Sequence, residues 1–160
     1  ATLPLLLASA LAGTLPAQAA DDGAGFSAGL QVRPLATADE IGLPVYPGAT
    51  PWVEGDNKEA GAQLSLWGGA FGFQMRALKM RSDDPVDRVV RYYRSALDKQ
   101  GPWIDCSATP TSAHECGTDK PQAGAYVFKR KTGSSTRLVN IDALPGGTRV
   151  QLVRIDTRGE

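Results

Sequence analysis

Histidine is almost missing from this sequence. There is one, His114, in 160 residues, beside only two cysteines, Cys106 and Cys116. A zinc centre takes three or four ligands from His, Cys and acids, and this stock does not supply them, so neither a metal nor a cofactor is expected. A Ser-His-Asp set would have to use His114, with Ser107 or Ser112 in the same loop, and would need an orienting acid and an oxyanion hole. No GxSxG segment is present. Net charge is lacking too, with 17 basic and 17 acidic residues. Nucleic-acid binding rests on neutralising phosphates with a basic excess or patch, so nucleic acid is not expected as the main partner. The same balance argues against plain electrostatic attraction to an anionic membrane. Aromatic residues make up 7% of the chain. Trp52, Trp67 and Trp103 could line a sugar or peptide groove, although in a domain of this size tryptophans usually serve the core.

One long apolar run does occur, at the start: Ala1 to Gly13, without a charge. A membrane-spanning helix needs about 20 apolar residues; this run is interrupted by Gly13 and Pro16. The small-x-small pattern Ala17-Gln18-Ala19 follows. Residues 1–20 are therefore expected to be a secretory signal peptide, leaving no stable membrane anchor after cleavage. The protein would be exported, to the periplasm or the medium. In such a compartment two cysteines are expected to pair as Cys106–Cys116. The alternative is a reactive thiol beside His114.

Residues 21–40, rich in Gly, Ala, Asp and Ser, are expected to form a flexible lead. Gly23-Ala24-Gly25-Phe26-Ser27-Ala28 matches a dinucleotide fingerprint in letters only, because no strand precedes it and no helix follows. A single α+β domain is expected over 41–157. Ile41 to Ala49 holds two prolines and a Pro47-Gly48 turn pair. Alternation over Gln63–Trp67 and Phe71–Ala77 predicts two strands. Leu78 and Met80 then fall in the opposite phase, which suggests a bulge or twist.

Val86, Val89, Val90, Tyr93 and Leu97 recur at helical spacing. Asp84 is expected to be the N-cap, Pro85 the first helical residue and Gly101-Pro102 the stop. Asp87–Arg91 and Arg94–Asp98 are candidate i,i+4 ion pairs. Trp103-Ile104 is expected to start a short strand or to pack under the helix end, and three alternating runs joined by Gly-containing turns predict a meander over Ala125–Arg130, Arg137–Asp142 and Arg149–Ile155. The expected fold class is α+β: a two-layer domain, an antiparallel sheet of about five to six strands with one main helix on one face, in the order ββα(β)βββ.

Leu43-Pro44-Val45-Tyr46-Pro47-Gly48-Ala49, then Val89-Val90-Arg91-Tyr92-Tyr93 ahead of Leu97, then Gly101 and Trp103, resemble a group of uncharacterised exported bacterial proteins. That group shows a YPGA-type opening, a V-x-x-(F/Y)-Y-x-x-x-L helix and a following G-W. The resemblance spans roughly residues 43–156 and implies an exported α+β module, with no catalytic residues to carry over. Here Pro102 separates the glycine from the tryptophan, and the cysteine loop looks inserted.

On alternation, Phe71, Phe73 and Met75 should share the helix-covered face with Tyr126, Phe128, Val139 and Ile141. The open face would carry Arg76, Val127, Lys129, Leu138, Asn140, Leu152 and Arg154. A half-apolar face dotted with Arg and Lys suits a partner surface, so these seven residues are the candidate interaction surface, for a protein partner or a homodimer. A slip of one residue in register would swap the faces. The expected function is a non-enzymatic binding or interaction module. The alternatives are an envelope enzyme acting on glycan or cell-wall substrates, for which two carboxylates would have to converge, and a self-associating envelope protein.

Overall fold

The computed structural model describes residues 28–34, 37–56, 59–107, 113–119 and 121–159. The expected signal peptide and the beginning of the lead lie outside the described residues. Within the lead, Ala28–Pro34 is not loose chain but strand β1. It pairs antiparallel with β3 (Gly61–Gly68), which forms a hairpin with β4 (Phe71–Ser82). A two-residue strand β2 (Thr50–Pro51) pairs with β4 beyond the start of β3. Helix α1 (Val86–Asp98), the short strand β5 (Ile104–Asp105) and the one-turn helix α2 (Ala113–Cys116) follow. The meander is β6 (Ala125–Thr132), β7 (Ser135–Leu144) and β8 (Gly147–Arg158).

The architecture is α+β, an antiparallel sheet with one main helix, but with eight strands instead of five or six. Its order is β1-β3-β4-β8-β7-β6-β5, with β2 on β4. The additions are β1 and β2. β2 is too short to show alternation, whereas β1 does alternate over Leu30-Gln31-Val32-Arg33, a signal passed over because the segment lies in Gly- and Ala-rich sequence.

Pairing of β4 with β8 runs unbroken from Gly72↔Arg158 to Ser82↔Thr148. The expected bulge is therefore absent, and the phase change at Leu78 has another cause. Successive side chains point to opposite faces, and β4 is apolar on different faces in its two halves. Leu78 and Met80 face the helix, opposite Leu152 and Val150. They join Val139, Ile141 and Phe128 beneath Val89, Val90, Tyr93 and Leu97 of α1. A fully buried Val or Leu there contributes ~1.5–3 kcal/mol. Phe71, Phe73, Met75 and Ala77 lie on the far face, contrary to the alternation reading.

The far face is covered in part as well, beside a groove of about 510 Å³ lined among others by Val127, Leu138 and Asn140. The disulfide Cys106–Cys116 packs over β6, β7 and β8 on that face and buries Val127, Leu138 and Val153, with Met75, Ala77, Ile104 and Ile155 around them. The Cys106 amide donates to the Val127 carbonyl, and Ser107 Oγ accepts from the Val127 amide. An ion pair of 2.7 Å ties Lys129 to Asp119.

Helix α1 starts one residue later than expected. Pro85 occupies the N-cap, with no side-chain cap, because the Asp84 carboxylate is engaged elsewhere. It accepts from Tyr46 Oη at 2.7 Å and from Arg88 at 2.6 Å. The ion pairs of the helix are accordingly Arg88–Asp84 and Arg94–Asp105, instead of Asp87–Arg91 and Arg94–Asp98. The Tyr46 segment is clamped to the helix. Tyr92 Oη donates to the Val45 carbonyl, Tyr93 Oη to that of Pro44, and the rings of Tyr46, Tyr92 and Tyr93 meet edge to face. The two motifs that stand out in the sequence thus fasten to each other.

Candidate anion-binding site

Directly paired residues on antiparallel strands share a face, so the register reads off the rows of the sheet. One row runs across six strands: Arg33, Gln63, Arg76, Arg154, Arg137 and Arg130. Five of its six members are arginines. It lies on the helix-covered face, one pleat beyond the apolar row that α1 covers. The next row outward is also polar: Gln31, Ser65, Gln74, Asp156, Ser135 and Thr132.

Two structural ledges define the inner side of this strip. The turn at Ala38–Gly42 drops Ile41 into the core. It carries Gly42 close to Arg154 and Arg137, where a Cβ would stand 3.8 and 3.9 Å from their guanidinium nitrogens. At the other end, Arg130 donates to the Gln100 carbonyl just past α1. Carbonyls at a helix C-terminus carry partial negative charge and favour a cation there.

The charges along the row are unevenly matched. Arg33 pairs with Glu40 at 2.8 Å. Gln63, buried, accepts from both Arg33 and Arg76 through Oε1 and donates to Ser65. Asp156 receives Arg76 at 3.0 Å and Arg154 at 2.9 Å. Partial burial works against ionisation of Asp156, but the Ser135 hydroxyl and the guanidinium groups of Arg154 and Arg76 outweigh it and hold the carboxyl below its ordinary range. Ser135 lies near enough to favour the carboxylate, yet its buried hydroxyl completes no well-formed hydrogen bond.

Arg137 is different. It stands between Arg154 and Arg130 with no acid and no hydrogen-bond acceptor among the described residues, and its Nε is buried and unsatisfied. Like charges directly opposite on a sheet repel, and an unpaired buried donor costs ~1–3 kcal/mol. A cavity of about 150 Å³ opens here, lined by Arg130, Thr132, Ser135, Arg137 and Arg154. That is room for roughly five waters, or for one carboxylate or phosphate group with its hydrogen-bonded surroundings. Three guanidinium groups and two hydroxyls form a donor set, and donors of this kind are what an oxyanion takes.

Arg154 also lines a neighbouring trough of about 500 Å³ over β3, β4 and β8, together with Glu40, Trp67, Ser65, Gln74, Arg76, Asp156 and Arg158 among others. No family model matches this chain, and no curated protein or solved structure matches it. The geometry therefore stands alone.

The seven residues of the expected interaction surface are divided between the faces. Val127, Lys129, Leu138 and Asn140 lie on the far face. Leu152 is fully buried under α1, and Arg76 and Arg154 belong to the arginine row. Arg130 and Arg137 were not expected as site residues. The signal was present in the turns: with two-residue loops at Gly133-Ser134 and Pro145-Gly146, Arg130, Arg137 and Arg154 fall in line by counting.

A second feature is apolar. Leu30 (64% exposed), Leu66 and Phe71 (53%) sit on the far face at the β1 end, beyond the disulfide. Among the described residues, no three His, Cys, Asp or Glu side chains gather as metal ligands, and no helix is long and apolar enough to cross a membrane.

Proposed function

We propose that this protein is an exported, non-enzymatic module that binds an anionic ligand in the arginine row. The observation that carries the reading is Arg137, a half-buried guanidinium without a counter-charge among the described residues, set between two further arginines on the sheet. Such an arrangement costs stability unless an anion completes it. Arg also presents a planar fork of donors suited to carboxylate or phosphate. The Cys106–Cys116 bridge is compatible with an exported protein, and the periplasm is the compartment that fits best with the apolar N-terminal run.

Glu40 and Asp156 both line the trough, so the glycan-hydrolase alternative had its two carboxylates to draw on. Each is held by arginines, and Asp156 is shifted downward, whereas a general acid needs a raised value. Binding is favoured over hydrolysis on that ground.

The test is thermal unfolding with citrate or inorganic phosphate against chloride at constant ionic strength, for the wild type and Arg137→Met. The expected result is a rise in midpoint for the wild type well above that of the variant. Multivalent anions stabilise proteins in general by exclusion, so an equal rise in both proteins, or none in either, overturns the reading.

A further inference from the structure

The trough that opens from the arginine row has one aromatic wall. Trp67 is 46% exposed. It points to the helix side of the sheet, and its indole lies across β1 where Gly29 has no side chain; a Cβ at Gly29 would overlap the ring. The ring is thus laid on the sheet and braced by backbone, and Trp67 lines both the trough and an apolar hollow with Gly29, Leu30 and Phe71. Between Trp67 and the arginines stand hydroxyl, amide and carboxylate groups. Ser65 accepts hydrogen bonds from Gln63 and Gln74, and Asp156 lies beside them.

We infer that the anion is carried on a sugar chain: the trough takes an acidic oligosaccharide, one ring against Trp67 and its carboxylates on Arg154, Arg137 and Arg130. This rests on the anion-binding reading above. An apolar ring face beside a polar edge is what a pyranose offers an indole, and its hydroxyls match the amide and carboxylate acceptors along the way. From β3 to β7 is three strand spacings, about 14 Å, and from the Trp67 row to the Arg137 row is four residues, about 13 Å. The diagonal is about 20 Å, so one sugar cannot touch both ends and a chain of several rings can.

Single-stranded nucleic acid also combines stacking with arginine. Proteins that bind it present successive aromatic rings along a basic groove. Here a single indole lines the trough.

Calorimetric titration of the full chain with oligogalacturonates of increasing length tests the inference, with galacturonic acid, the methyl-esterified oligomer, citrate and oligo-dT as comparisons. The expected result is affinity that rises with chain length and falls on esterification. It should also drop about tenfold in Trp67→Ala, which corresponds to 1.4 kcal/mol, while the citrate response of that variant persists. Trp67→Phe, which keeps a ring over Gly29, should fall between the two and guards against a folding defect in Trp67→Ala. Citrate binding without a gain from chain length, or an oligogalacturonate affinity indifferent to Trp67, overturns the sugar-chain inference and leaves the anion site standing. Tighter, Trp67-dependent binding of oligo-dT also overturns it. No binding of any anion removes both.

Discussion

Replacing Arg137 with Met should strengthen the empty protein and blind it to anions. The change keeps an unbranched stem against the sheet and removes the guanidinium. In the empty protein, repulsion from two directly opposed arginines is relieved, at ~0.2–1 kcal/mol each. The buried unsatisfied Nε disappears as well, at ~1–3 kcal/mol. Allowing for partial exposure of the group, the net gain is on the order of 1–2 kcal/mol. With a urea slope of ~2 kcal/mol per M, the unfolding midpoint moves up by about 0.5–1 M. In citrate at a hundred times its dissociation constant the wild type gains ~2.7 kcal/mol by mass action and the variant does not. The ranking of the two proteins therefore reverses between buffers. Urea titrations followed by tryptophan fluorescence, with and without citrate, read both halves. A variant less stable than wild type in the anion-free buffer refutes the reasoning, because Arg137 would then be holding the sheet together.

Cys106→Ser with Cys116→Ser should cost about 2.7 kcal/mol from loop closure alone, since the cysteines are ten residues apart; urea midpoints of the oxidised and double-serine proteins measure it. Leu138→Asp places a carboxylate under the disulfide and should abolish cooperative unfolding, whereas Phe71→Asp, at an exposed site, should leave the fold intact. Light scattering on Phe71→Asp tests self-association through the apolar end of the far face: a dimeric wild type and a monomeric variant would assign that face to a second copy. Burial raises the Tyr93 hydroxyl well above its ordinary value near 10. Its contribution to stability is therefore intact below that ordinary value and is lost as pH rises through the higher folded one. Tyr93→Phe should flatten the alkaline fall in urea midpoint, and an unchanged slope above about pH 10 would contradict this.

Much of the fold could be read from pattern because its elements obey simple periods. Val89, Val90, Tyr93 and Leu97 mark the one long amphipathic helix among the described residues, and Gly133 and Pro145-Gly146 mark the meander turns. The register of β4 could not be read the same way. Its apolar residues change phase at Leu78 because two different covers, the helix and the disulfide, lie on opposite faces of one straight strand. A disulfide has no periodic signature, so the sequence could suggest the bridge but not what the bridge covers. The site was obscured for a related reason. Arg76, Arg137 and Arg154 are far apart along the chain, and as letters they look like ordinary surface charges. They become a constellation once the pairing of β4, β8, β7 and β6 is counted out.

The position of β8 has consequences for how this chain comes into being. Among the described strands it is the last in chain order and the central one in space, joining β1, β3 and β4 on one side to β7, β6 and β5 on the other. Until residues 147–158 are in place, the two halves share no hydrogen-bonded edge, and Arg154 has not yet joined the row. Without β8 the chain holds two incomplete sheets and no finished core, so closure of the sheet waits on that one strand whichever half forms first.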